Sequence, residues 1–324
     1  MKIKSDIVLL LLFILIFTLL SIISSGRFLS FDNLQTMAFQ IPELGIITFG
    51  MMVVILLGGI NLSITAISAF SGVITALFLA NYNVSTTNIN ILLMILGVVG
   101  IASICALFSG FLTGFIVAYI GVTPILATLG AKIFFEGICL KITKGGSISG
   151  YPKQFYFFGS GTIFNIPIPL VIFILVIIIN YILLDRTPWG AKVYSIGSNP
   201  VVAKFSGINV KIISLQIYIY SSLMAAVASI IMISRYNSAK ASLGQSYLLE
   251  SIAATVLGGT RITGGKGSVF GTLIAIGIIQ IISSGLNILN FNRFITNAIM
   301  GSILILVLSF DYLLDKWTSR VFIK

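Results

Sequence analysis

The 324-residue chain has no histidine, two cysteines and eight acidic residues. Each scarcity excludes something. Without histidine, the usual general base and the commonest metal ligand are gone, so neither a catalytic centre nor a metal site is expected. Cys105 and Cys139 both lie in apolar runs, so no disulfide framework is implied. No GxxxxGK[ST] phosphate loop occurs, so the chain cannot hydrolyse ATP by that route. Charged residues are 8% of the chain, against about a quarter in soluble domains.

What is abundant is apolar. Hydrophobic residues make up 58%, and mean hydropathy is +1.14. One soluble core cannot hide that much surface, which makes this an integral membrane protein. The apolar runs exceed strand length and contain Gly and Pro, so they are helices rather than barrel strands. The formal charge of +11 reflects loops that collect Lys and Arg, not a nucleic-acid partner.

Ten stretches read as spans: 7–23, 41–59, 63–80, 91–119, 125–142, 168–184, 212–234, 247–259, 269–288 and 295–310. The expected fold is an all-α integral membrane protein of about ten transmembrane helices, some short or broken, in one domain over 1–324. Residues 26–40 read as a polar connection, with Pro42 in the first turn of the second span, where its missing N–H costs nothing. Residues 247–259 fall short of the ~20 needed to span a bilayer, as broken transport helices do.

Two breaks echo each other. Leu57-Gly58-Gly59 and Leu257-Gly258-Gly259 each end an apolar run and precede a helix rich in small residues. Two related halves, 1–166 and 167–324, are therefore expected. After the first break Asn61 and Ser63 can cap the next helix. After the second, Gly271 allows close approach of a neighbour. These residues, Gly58, Gly59, Asn61, Ser63, Gly258, Gly259 and Gly271, are the candidate break and pathway positions; plain helix packing is the competing reading.

The longest hydrophilic stretch, 185–211, carries Arg186, Lys192, Lys204 and Lys211 against one acid. Within it Pro200 to Phe205 can form a short helix, with Asn199 as cap and Gly207 as stop. With ten spans and the N-terminus cytoplasmic, the inner segments hold eleven basic residues against six outside, so both termini are expected in the cytoplasm. The basic loop then suits either a cytoplasmic partner or anionic membrane lipids. Lys132 and Glu136 stand four apart on one helix face, with Glu136 ~18 Å along the span from Pro124. They read either as a self-neutralising structural pair or as polar groups in a solute pathway.

Four stretches together resemble the membrane subunits of bacterial ABC importers of the ribose-permease type. They are VLGGT…GGKGS…GT near 256–272, Gly59-Ile60-Asn61-Leu62-Ser63, Pro124 with Thr128-Leu129-Gly130, and Arg186-Thr187…Gly190 followed by Gly197-Ser198-Asn199…Ala203…Ser206-Gly207-Ile208. The family usually has Asp where Asn61 stands, which loses a charge but keeps the capping oxygen, and often Arg where Glu136 stands. The resemblance implies a permease of the bacterial cytoplasmic membrane with no ATPase site of its own and no bound cofactor. Its implied partners are two ATPase subunits that bind the ATP, an extracytoplasmic solute-binding protein, and a second copy or sister permease. Its implied substrate is a monosaccharide or similar small polar solute. Asn199, Pro200, Ala203, Lys204 and Gly207 become the candidate ATPase-docking residues. The alternative, an ion-coupled secondary transporter, would place titratable acids at mid-membrane. Glu43 and Glu250 read as lying near the outer ends of their spans, and Glu136 alone reads as deep.

Overall fold

The apolar stretches fold as helices because a bilayer leaves no other way to satisfy backbone N–H and C=O groups in a single chain segment. The computed structural model describes residues 2–24, 26–82, 88–292, 294–296, 298–306 and 309. In chain order the helices are α1 (Lys2–Ile23), α2 (Phe31–Leu56), α3 (Ile64–Ala80), α4 (Asn88–Phe115), α5 (Pro124–Thr143), α6 (Phe157–Ser160) and α7 (Ile168–Tyr181). They continue with α8 (Pro188–Ser198), α9 (Pro200–Phe205), α10 (Val210–Tyr236), α11 (Tyr247–Leu257) and α12 (Val269–Ile288). The described residues of 294–306 are helical too. Among the described residues there are also four two-residue strands: β1 (Ile148–Ser149), β2 (Thr162–Ile163), β3 (Ile166–Pro167) and β4 (Ser238–Ala239). β1 pairs antiparallel with β4, and β2 with β3.

The all-α membrane architecture expected from composition is the one observed. Six helices among the described residues are long and apolar enough to cross a bilayer: Asp6–Ile23, Phe31–Leu56, Ile89–Ile120, Ile168–Arg186, Val210–Tyr236 and Val269–Ile288. α3 and α11 are apolar but short. α5 has the length of a span, and its Lys132, Glu136 and Lys141 lower its hydropathy. α4 and α7 each end in a π-helical turn, Ile116–Ile120 and Ile182–Arg186.

The centre of the molecule is α2. Every residue from Pro42 to Leu56 is buried, against α7, α10, α11 and α12. This corrects the sequence expectation in one respect. The helix starts at Phe31, not near Ile41, and Pro42 sits inside it. Ser30 caps the start by accepting from the Asn33 N–H. The polar residues Asn33, Thr36 and Gln40, which suggested a loop, instead share one face of α2 toward α12.

The two ends of the bundle differ. At one end α10 runs into β4, and the 144–167 connection folds back on it: Ser234 Oγ donates to the Phe155 carbonyl at 2.6 Å. This is the hairpin end. At the other end lie the C-terminus of α2, helices α8 and α9, and the 260–267 turn; this is the basic end.

Candidate functional site

At the basic end, α8 starts at Thr187, whose hydroxyl accepts from the Gly190 N–H, and Pro188 takes the first helical position. α9 follows directly. Asn199 Oδ1 accepts from the N–H groups of Val201 and Val202, at 3.0 and 3.1 Å. Gly207 closes the helix with φ +82°, and the Ile208 N–H donates back to the Ala203 carbonyl. Ala203 is buried against the body, while Val201, Val202 and Phe205 point outward, Phe205 at 88% exposure. The capped helix expected from Asn199, Pro200, Lys204 and Gly207 is thus present, as an apolar knob beside a basic side chain. Burial pushes the neighbouring Tyr194 phenol of α8 up to about 12.

Three chain breaks meet under this knob. The Gly265 N–H donates to the Leu56 carbonyl at the end of α2, at 2.9 Å. A side chain on Gly197 would collide with that same carbonyl and with Gly265 N. A Cβ on Gly264 would lie 2.8 Å from Gly58 N and 2.9 Å from Gly197 O. The end of α2, the end of α8 and the 260–267 turn therefore touch backbone to backbone. Only glycine permits that approach.

The first break is locked by side chains. Gly58 turns the chain with φ +89°. Asn61 Oδ1 accepts from both the N–H and the hydroxyl of Ser63, and its amide donates to Ser221 of α10 at 3.0 Å. Thr128 of α5 donates to the Ile60 carbonyl and accepts from the Leu62 N–H. Gly59 packs on Pro124, where a Cβ would come within 3.1 Å. At the second break the left-handed residue is Gly259, φ +84°, rather than the first glycine of its pair. Gly258 there meets Gly271 and Thr272 of α12 so closely that a side chain on either glycine would strike the other's backbone.

Lys132 and Glu136 do pair, Nζ to Oε1 at 3.9 Å. Both are partly exposed, and Gln245 donates to Glu136 at 3.3 Å. Glu136 and Gln245 line a cavity of about 330 Å³ with Lys240 at the hairpin end. Seven residues, or about 10 Å, separate Glu136 from the end of α5.

One constellation escaped the sequence reading. Glu43 is 0% exposed. Its Oε1 pairs with Arg235 Nη1 at 2.9 Å, and its Oε2 accepts from the hydroxyls of Tyr236 and Tyr247 at 3.0 and 2.7 Å. The cluster ties α2 to the end of α10 and the start of α11. The signal available was a carboxylate inside an apolar helix, which demands a buried partner; its partners lie some 200 residues on, and no local pattern names them.

A helical membrane fold with six long apolar helices among its described residues, interrupted by glycine breaks and bearing a capped helix in its basic loop, is that of an integral membrane protein with the broken helices that suit transport. Residues 33–308 match the family model described as the permease component of a branched-chain amino acid transport system, and the chain belongs to that family. The ribose import permease protein of Bacillus subtilis (strain 168) is 36% identical over 311 residues, 92% of this chain and 91% of that protein. The D-allose transport system permease protein of Escherichia coli (strain K12) is 32% identical over 295 residues, 91% and 87% of the two chains. The autoinducer 2 import system permease protein of Yersinia pseudotuberculosis serotype O:3 (strain YPIII) is 31% identical over 310 residues, 92% and 90%. No solved structure matches the chain. The resemblance read from the four motif stretches is thereby established, and the chain is a membrane permease component.

Proposed function

We propose that the chain is the membrane pathway of an ABC importer that carries a monosaccharide or similar small polar solute into the cytoplasm. ATP is hydrolysed on a separate subunit, which docks at the basic end. The observation that carries this reading is α9. A six-residue helix capped at both ends, with Val201, Val202 and Phe205 exposed and Ala203 anchored, is built to be gripped. Its base reaches the ends of α2 and α8 and the 260–267 turn through Gly197, Leu56 and Gly265. A push on α9 is delivered to both chain breaks through backbone that has no slack.

The relatives support this solute class, since two of them are permeases for ribose and for D-allose. An extracytoplasmic binding protein delivering the solute belongs to the same reading. A second copy or sister permease fits against α5. That helix exposes Lys141 on the same face as Gly130 and Gly137, which have open space over their Cα atoms. Small residues on a helix face let a second helix approach closely. Ion-coupled transport is disfavoured because Glu43, the most buried acid among the described residues, is already held by Arg235 and two tyrosines.

The test is uptake of D-ribose in proteoliposomes holding the complete transporter, with ATP hydrolysis followed in parallel. Phe205→Asp and Gly207→Val are expected to insert normally, abolish ATP-dependent uptake and release ATP hydrolysis from solute control. Uptake at the unaltered rate in both variants disproves the docking role of α9. Uptake that needs a proton or sodium gradient and no ATP disproves the importer reading itself.

A further inference from the structure

Two helix faces at the hairpin end are polar where a bilayer helix should not be. On α2, Asn33, Thr36 and Gln40 follow i, i+3, i+7 spacing; on α12, Gln280, Ser283, Ser284 and Asn287 follow i, i+3, i+4, i+7. Each set lies on one side of its helix. The two sides face each other. Gln280 Nε2 donates to Gln40 Oε1, and Ser284 Oγ donates to Asn33 Oδ1, both at 2.9 Å. Polar residues at such positions are expensive unless they border water or a ligand. Between the faces is a cavity of about 320 Å³, whose remaining wall includes Tyr236, Tyr247 and Glu250. The two tyrosine hydroxyls are fixed by Glu43, so this wall is held in place.

We propose that this cavity is a binding subsite for a neutral polyhydroxyl solute; the proposal rests on the importer reading above and names where in this chain the solute is held. Amide and hydroxyl side chains each offer donors and acceptors, which matches a ligand whose every polar group is an O–H that does both. The tyrosine rings supply flat apolar surface for the C–H faces of such a ligand. The volume falls at the small end of ligand cavities. An amino acid is a poor fit. Among the described lining residues no Lys or Arg is available to hold a carboxylate, and Glu250 opposes an anion. A branched aliphatic side chain would lie against amides, which would lose their water without gaining a partner.

The experiment uses the full-length chain in the assembled transporter, with Ser283→Cys, Asn287→Cys and, as a reference outside the cavity, Thr162→Cys. Each is reacted with a water-soluble maleimide in the presence of excess D-ribose, excess L-leucine or neither. Labelling at 283 and 287 is expected to slow several-fold with D-ribose and not with L-leucine, while 162 reacts alike in all three. Labelling at 283 and 287 that ignores D-ribose, protection by L-leucine instead, or no labelling of either site each overturns the subsite. Asn287→Leu gives a second reading. It is expected to raise the KM for ribose uptake several-fold with little change in kcat, whereas a merely structural role lowers the amount of folded transporter at unchanged KM. The importer reading is judged separately, by ATP-dependent uptake in the unaltered chain: if that uptake is present and protection is absent, the subsite alone is wrong.

Discussion

Glu43 shows what one residue contributes by its partners rather than by its type. Removing one member of a buried, hydrogen-bonded ion pair strands the other, at a cost of about 3–5 kcal/mol, more than the pair itself contributes. Arg235→Ala leaves a fully buried carboxylate with two tyrosine hydroxyls and no counter-charge. That variant should lower the melting midpoint in detergent sharply. Glu43→Gln combined with Arg235→Met removes both charges and keeps side-chain volume, so it should recover much of the loss. Additive effects of the two single changes would show that the residues are not energetically coupled. At the basic end the decisive residue is Gly197. The G-x-N spacing around it was legible in the sequence, but its cause was not. The glycine is required because the Leu56 carbonyl and the Gly265 N–H occupy the space a Cβ would fill.

At the scale of the element, α5 carries a tension that the two readings of its charges resolve differently. A pair at i, i+4 on an exposed face is worth only about 0.3–0.5 kcal/mol. An unpaired charge at membrane depth costs ~3 kcal/mol on insertion scales. A self-neutralising pair should therefore tolerate exchange of its ends. The surroundings of Glu136 argue for the acid at that position: Gln245 donates to it, and Lys240 lines the same cavity. Lys132→Glu with Glu136→Lys would set a lysine toward Gln245 and Lys240. We expect the exchanged protein to reach the membrane in normal amount and to transport poorly, and Glu136→Gln, which keeps the shape, to transport better than the exchange. Wild-type uptake by the exchanged protein would show the pair to be structural only.

Across the whole molecule, the helical membrane architecture, both glycine breaks and the capped helix after Asn199 could be read from the sequence because each is written locally, in runs, caps and turns. The start of α2 could not. Its polar face at Asn33, Thr36 and Gln40 looks like a loop until α12 supplies the matching face. Which end of the bundle faces the cytoplasm is also a property of the whole chain, since it depends on the summed charge of segments far apart in sequence. The structure puts Lys192, Lys204, Lys211, Arg261 and Lys266 around one end and the 144–167 connection at the other. Cytoplasmic connections retain Lys and Arg during insertion, so the basic end should be inside. Cysteines at Ser206 and Thr162, both exposed and at opposite ends, report this directly, because Cys105 and Cys139 are buried and stay silent. In intact spheroplasts a membrane-impermeant maleimide should label position 162 at once and position 206 only after lysis. The reverse pattern would put α9 outside the cell, where no ATPase could reach it, and would remove the docking proposal along with the orientation.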